Sequence, residues 1–216
     1  MIETIDLSKT YKIRKKEKCF KYHDEYKEAV KKLNLEIHEG KIVGILGVNG
    51  AGKTTTIKML ATLLEPSSGE ILLDDMKYTE KNRSKIKEKI NLISGGERSL
   101  YWRLTGRENL EYFGALYNIR NLDQKINECL EIVGLSENAD QLVETYSKGM
   151  KQRLQIARGI INQPKYLFMD EPTLGLDVAV ARNLREYIKK LAREQNTAVI
   201  LTNLHQEIPP LLKVMG

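Results

Sequence analysis

GVNGAGKT, residues 47–54, follows the apolar run Ile42–Leu46 and matches the pattern G-x-x-x-x-G-K-[ST] at every fixed position. The pattern needs a strand, a tight loop and a helix in that order. The glycines let the backbone turn sharply, so the N–H groups of Gly47, Val48, Asn49, Gly50, Ala51 and Gly52 can converge on phosphate oxygens. A helix starting near Thr54 adds the positive end of its dipole. Lys53 is placed to neutralise β- and γ-phosphates, the Thr54 hydroxyl to ligate Mg²⁺, and Thr55 to extend the same cradle. An ordinary glycine-rich turn is the competing account, and the buried-looking strand before it argues against that.

Working outward, short apolar runs bounded by polar residues or glycine recur at residues 71–73, 90–93, 166–169 and 198–201 and read as strands. Helical spacing lies between them, at residues 54–64, at Leu154, Ala157 and Ile161, and at Leu184, Ile188 and Leu191. Strands alternating with helices predict an α/β domain with a mixed, largely parallel sheet. From about residue 98 to 161 the strand signal fades and helical spacing dominates. This predicts a helical subdomain inserted into a core made of residues 1–97 and 162–216.

A second apolar strand ends in Asp170 and Glu171. In a parallel sheet, ligands collect beyond the carboxyl ends of the strands, where these acids emerge. Asp170 is expected to hold Mg²⁺ directly or through water, and Glu171 to orient the water that attacks the γ-phosphorus. Two acids at a strand end also serve as ordinary turn or cap residues.

Composition narrows the class. The 216-residue chain is 30% charged, and no apolar run approaches the roughly 20 residues that span a bilayer. The N-terminus has no signal-peptide pattern, and Cys19 and Cys129 stand apart, against a zinc site or disulfide framework. A cytoplasmic protein is expected. Much of the +6 net charge falls within residues 11–32, read as a solvated Lys-rich loop or exposed helix face, with a patch facing the inner leaflet as the alternative. Aromatic residues do not alternate there with basic ones as on a base-stacking platform, which argues against nucleic acid.

Taken together, the phosphate loop, YSKGMKQRL (146–154) and LFMDEPTLGLD (167–177) stand in the order and spacing of the ATP-binding cassette (ABC) ATPases, which the chain resembles over nearly its whole length. The resemblance implies a P-loop NTPase fold with ATP and Mg²⁺ as ligands, and ATP hydrolysis assigned to Glu171 and Lys53. It further implies a homodimer or pseudo-dimer of cassettes clasping ATP head to tail, and a separate transmembrane permease driven at the inner face of the cell membrane. Ser147 lies 23 residues before Asp170, where the family's signature serine opens a helix; Ser94 lies 76 before it and does not fit. Ser147 and Gly149 would contact ATP held by the partner cassette, although Tyr146, Lys148 and Met150 depart from the usual Leu, Gly and Gln.

Further positions follow the family order. SGGER (94–98) occupies the Gln-loop, with Gly96 at the glutamine position and Glu97 as the candidate substitute; two glycines there also suit a plain turn or hinge. Tyr11 lies where an aromatic ring stacks on adenine, the alternative being a core or loop tyrosine. Thr173–Asp177 matches the loop communicating across the dimer. His205 is the candidate switch histidine, one residue after the family's usual place. Eleven residues follow His205, with Pro209 and Pro210 among them, so a terminal strand and helix are expected to be lacking.

GGERSLYWRLTGRENL resembles cassettes that pair with simple multi-spanning exporter subunits, which implies export. Residues 99–121 are the expected docking surface, with burial of their aromatics in the subdomain core as the alternative. A non-transport cassette acting on nucleic acid and a nucleotide-gated module with little turnover are the rival functions.

Overall fold

The computed structural model describes residues 1–16, 22–94, 100–173 and 176–202, and the backbone of 211–214. Five strands form an all-parallel sheet: β3 (Ile42–Leu46), β6 (Ile90–Ser94), β7 (Tyr166–Asp170), β8 (Ala198–Thr202) and β9 (Leu211–Val214), in the order β6-β7-β8-β3-β9. Antiparallel pairing is segregated into a second sheet of β1 (Ile2–Lys16), β2 (Tyr22–Ile37), β4 (Ser68–Leu73) and β5 (Met76–Lys77), in the order β2-β1-β4-β5.

Period-two alternation along β7 and β8 divides the interior. Tyr166, Phe168, Ala198 and Ile200 join Ile57, Met59 and Leu60 of α1 (Lys53–Leu60) and the inner face of the antiparallel sheet. Leu167, Met169, Val199 and Leu201 face the other way, onto α5 (Lys148–Ile160) and α6 (Val178–Glu194). Both faces being covered, these strands read as continuous apolar runs, as buried parallel strands do. Two more helices, α3 (Gly106–Leu116) and α4 (Leu122–Ile132), pack with α5, and Ile126, Cys129 and Leu130 fill the space between them. Burial pushes the Cys129 thiol up to about 12, so it behaves as a small apolar residue.

Several expectations are corrected. Residues 11–16 and 22–32 are neither loop nor helix but a long antiparallel ribbon, with Tyr11 opposite Lys27 and Lys16 opposite Tyr22. Cross-strand partners absorb much of its charge: Lys12 pairs with Asp24 at 2.8 Å, Lys15 with Glu25 at 2.5 Å, and the Arg14 guanidinium lies 4.7 Å from the Tyr22 ring centre. The ribbon also puts Tyr11, Tyr22 and Tyr26 on strands among basic residues, a pattern the sequence had concealed. A terminal strand is present, since β9 pairs in parallel with β3. The first helix stops at Leu60 rather than at residue 64. Thr62 adopts φ 59°, and N–H groups of Thr62 and Leu63 return to the carbonyls of Met59 and Lys58. That is a Schellman closure, and it satisfies two carbonyls of the last turn.

Helix starts follow from their caps. Thr105 and Glu108 form a reciprocal capping box at α3, and Asp177 accepts the Val180 N–H at 2.9 Å to start α6. At the amino ends of the parallel strands, Asp74 gathers Lys89 (2.6 Å), Lys165 (2.9 Å), the N-terminal ammonium (2.8 Å) and the Tyr166 hydroxyl (2.5 Å). Asp74 and Asp75, at φ 47° and 61°, make the two-residue turn between β4 and β5 that presents this carboxylate. Burial opposes ionisation of Asp74, but bonds from Lys165, Lys89, the ammonium and Tyr166 outweigh it and hold the carboxyl far below its usual range.

Candidate functional site

Between the carboxyl end of β3 and the first turn of α1, the phosphate loop forms one wall of a cleft of about 380 Å³. Gly50 and Gly52 have φ 88° and 86°, a conformation costly for residues with side chains. At Gly52 space is the second constraint, because a Cβ there would stand 2.1 Å from the Ala29 carbonyl oxygen of β2. No side chain caps α1, so its first-turn N–H groups are available to an anion. The Lys53 ammonium is buried and held over the loop by the carbonyl oxygens of Gly47 (2.7 Å) and Val48 (3.1 Å). Thr54 is exposed on the cleft.

Glu171 reaches the same cleft, as does Tyr11, whose hydroxyl lies 3.4 Å from Thr55 Oγ1. The structure thus brings together Tyr11, Asn49, Gly50, Gly52, Lys53, Thr54, Thr55 and Glu171. Asp170 does not line the cleft; its Oδ1 accepts a hydrogen bond from the Thr202 hydroxyl at 2.7 Å. Glu171 adopts φ 52°, unusual for a residue with a side chain, and its N–H donates to Thr202 Oγ1 at 3.1 Å.

Ser147 and Gly149 lie apart from this cleft. Ser147 caps α5, accepting the Met150 N–H at 3.2 Å, and both Ser147 and Lys148 are exposed. Tyr146, in place of leucine, is buried and donates its hydroxyl to the Asn138 carbonyl at 2.6 Å. Glu97 with its neighbours Gly95 and Gly96, Leu174 and Gly175 of the cross-dimer loop, and His205 lie outside the described residues.

Sequence reasoning missed Lys27, Ala29 and Thr202. Lys27 and Ala29 line the cleft because β2 runs beside β1, which a charged stretch without alternation did not signal. Thr202 had a faint signal, a hydroxyl closing an otherwise apolar strand.

Among the described residues of the expected docking stretch, burial differs from residue to residue. Leu100 and Leu110 are buried, whereas Tyr101, Trp102, Tyr112, Leu116 and Tyr117 are each at least 40% exposed. Tyr112 packs edge-on against Tyr101 and Phe113. Beside them runs a second cleft of about 380 Å³, between Ala61–Leu63 and β6 on one side and Tyr117, Gln155 and Arg158 on the other. Burial lowers the Arg158 pKa, and its guanidinium sits 4.6 Å from the Phe113 ring centre. The Lys151 ammonium lies 4.6 Å from the Trp102 ring centre. No helix among the described residues is long and apolar enough to cross a membrane.

The donor chemistry suits the ligands expected from the sequence. The Thr54 hydroxyl and the Asp170 carboxylate are hard oxygen donors of the kind Mg²⁺ takes, and the uncapped start of α1 with the Lys53 ammonium over the loop fits a polyphosphate. Comparison with known proteins bears on the family. The family model described as ABC transporter matches residues 30–174. The ABC transporter ATP-binding protein NatA of Bacillus subtilis (strain 168) is 39% identical over 98% of this chain and 82% of its own length. The bacitracin transport ATP-binding protein BcrA of Bacillus licheniformis is 39% identical over 100% of this chain and 66% of its own length. Among solved structures, the ATP-binding cassette MJ0796, a dimer in a post-hydrolysis state with ADP and Pi, superposes with a TM-score of 0.81 at 28% identity, covering 95% of this chain and 88% of that one.

Proposed function

We infer the chemistry of this chain from a single premise: it belongs to the ABC transporter family, as an ATP-binding and ATP-hydrolysing domain. The observation that carries the site assignment is the convergence of Lys53, Thr54, Tyr11 and Glu171 on one cleft.

In this reading Tyr11 stacks on adenine, the loop amides and the Lys53 ammonium hold the β- and γ-phosphates, and Glu171 accepts a hydrogen bond from water and aims it at the γ-phosphorus. The water oxygen bonds to phosphorus as the bond to the β,γ-bridging oxygen breaks, giving ADP and phosphate. Thr54 and Asp170 are the residues that would hold Mg²⁺, which when bound neutralises charge on the phosphates.

Ser147 and Gly149 act in trans, on ATP held by a second cassette. The exposure of Ser147 and the absence of both residues from the lining of the chain's own cleft support this, as does the dimeric state of the similar MJ0796. Val48 and Val178, 79% and 83% exposed, offer apolar surface for such a face-to-face dimer.

The exposed aromatics at 101–117 and the adjoining cleft take a cytoplasmic helix of a separate transmembrane permease. Its apolar face meets Tyr112 and Leu116, and an acidic side chain meets Lys87 and Arg158. The assembly sits on the inner face of the cell membrane. It works as an exporter, a direction read from the resemblance of residues 95–110 to cassettes that pair with exporter subunits.

Phosphate release by wild type, Lys53→Ala and Glu171→Gln tests the reading. Glu171→Gln should stop turnover and accumulate as an ATP-bound dimer, and Lys53→Ala should abolish the heat of Mg-ATP binding in calorimetry. Turnover equal to wild type in Glu171→Gln would remove the acid from the mechanism.

A further inference from the structure

We propose that Thr202 is a positioning residue for ATP hydrolysis: one buried hydroxyl fixes both acids at the end of β7. The proposal rests on the roles given above to Asp170 and Glu171.

Strands β7 and β8 are parallel neighbours with Met169 opposite Leu201, so Asp170 and Thr202 follow side by side where the ladder ends. A threonine hydroxyl has one proton and two acceptor positions. Here the proton goes to Asp170 Oδ1 at 2.7 Å, and the oxygen receives the Glu171 N–H at 3.1 Å. Thr202 is 1% exposed, so water does not compete for either bond. The first bond orients the carboxylate expected at the metal. The second holds the backbone of Glu171 in its φ 52° conformation, which persists only where surrounding contacts favour it.

Removing the hydroxyl therefore disturbs two groups at once. One Asp170 oxygen loses its donor and turns more freely, and the Glu171 backbone loses the acceptor that keeps it left-handed. The grip on the nucleotide belongs to the phosphate loop and Tyr11 and is left intact. The expected signature is a loss in kcat and in metal affinity without a loss in nucleotide affinity.

The decisive comparison is Thr202→Ala against Thr202→Ser, which both lack the methyl group and differ only in the hydroxyl; Thr202→Val, close to threonine in shape, is measured beside them. Thr202→Ala and Thr202→Val should lower kcat on the order of 10- to 100-fold, the loss of a buried hydrogen bond to a charged group, with KM for ATP changed less than about twofold. Half-saturating Mg²⁺ should rise about tenfold. Mn²⁺ binding to the ATP-loaded protein in a Glu171→Gln background, read by electron paramagnetic resonance, should weaken to the same extent. Thr202→Ser should stay within about threefold of wild type on each measure. Equal behaviour of Thr202→Ala and Thr202→Ser, active or inactive, overturns the proposal, as does wild-type metal affinity in Thr202→Ala. Glu171→Gln assayed alongside separates the two levels. If it turns over like wild type, the acid-pair reading itself fails; if it stops while the alanine and serine variants agree, only the role of Thr202 does.

Discussion

A Cβ on Gly106 would stand 2.3 Å from the Tyr146 hydroxyl oxygen. The first residue of α3 and the residue before the Ser147 cap are thus fitted to each other, and the missing side chain at 106 makes room for the phenol that bonds Asn138. Gly106→Ala should destabilise the protein by about 2 kcal/mol, as overpacking does. Combined with Tyr146→Leu, the residue the family resemblance puts there, the change should cost less than the sum of the two alone. Urea denaturation of the single and double variants measures the coupling; strict additivity would contradict the fit.

Asp74 makes an acid-sensitive contribution to stability. Its carboxyl is held below the unfolded value of about 3.9. The stabilisation is therefore complete above that value and is lost as pH falls below it toward the folded pKa. Asp74→Asn should cost about 2 kcal/mol at neutral pH, because Lys89 loses its carboxylate and Lys165 is left with Glu39 alone. Its stability should also fall less steeply than wild type between about pH 4 and 2. Melting temperatures across that range decide it.

Tyr11 and Lys27 are cross-strand partners that line the cleft, and in the proposed reading they stand beside the nucleoside. Tyr11→Ala should weaken Mg-ATP binding about tenfold, in the range of one lost base stack. Binding of inorganic tripolyphosphate, which has no base, should be unchanged. Lys27→Glu should weaken ATP more at low salt than at high salt, as a like charge near an anion does. Calorimetry with both ligands at two ionic strengths tests these expectations together.

Trp102 joins the exposed aromatic surface to α5 through the Lys151 ammonium over its ring, and its carbonyl accepts the Glu144 N–H at 2.9 Å in the turn before that helix. Trp102→Ala should reduce co-purification with the permease while the isolated chain keeps its affinity for ATP. Undiminished co-purification of the double variant Trp102→Ala, Tyr112→Ala would exclude this surface.

The chain was legible wherever burial left a signature. Strands β3, β6, β7 and β8 lie between covered faces, so each is an apolar run whose ends the sequence marked to within a residue. Ser147 was legible as a cap because its hydroxyl is followed by the stripe Met150, Leu154, Ala157. Strand β2 was hidden because both faces of its outer half are exposed, so residues 22–28 carry no alternation, and lysines matched by acids across a ribbon look the same in one dimension as a solvated loop. Thr202 was missed for another reason. Its importance depends on which strand lies beside β7, and pairing between distant segments is not written in local spacing.

Strand β7 is held at both ends. The Tyr166 hydroxyl at its start is hydrogen-bonded to Asp74, and Asp170 at its finish is bonded to Thr202, four residue steps of roughly 3.3 Å apart. A rod pinned this way cannot slip along its own axis, so the height of the acid pair above the phosphate loop is set partly by a charge cluster at the far side of the molecule. Amide protons of β7 should accordingly be among the last to exchange with deuterium, and loosening the distant pin with Asp74→Asn should speed their exchange before it touches turnover.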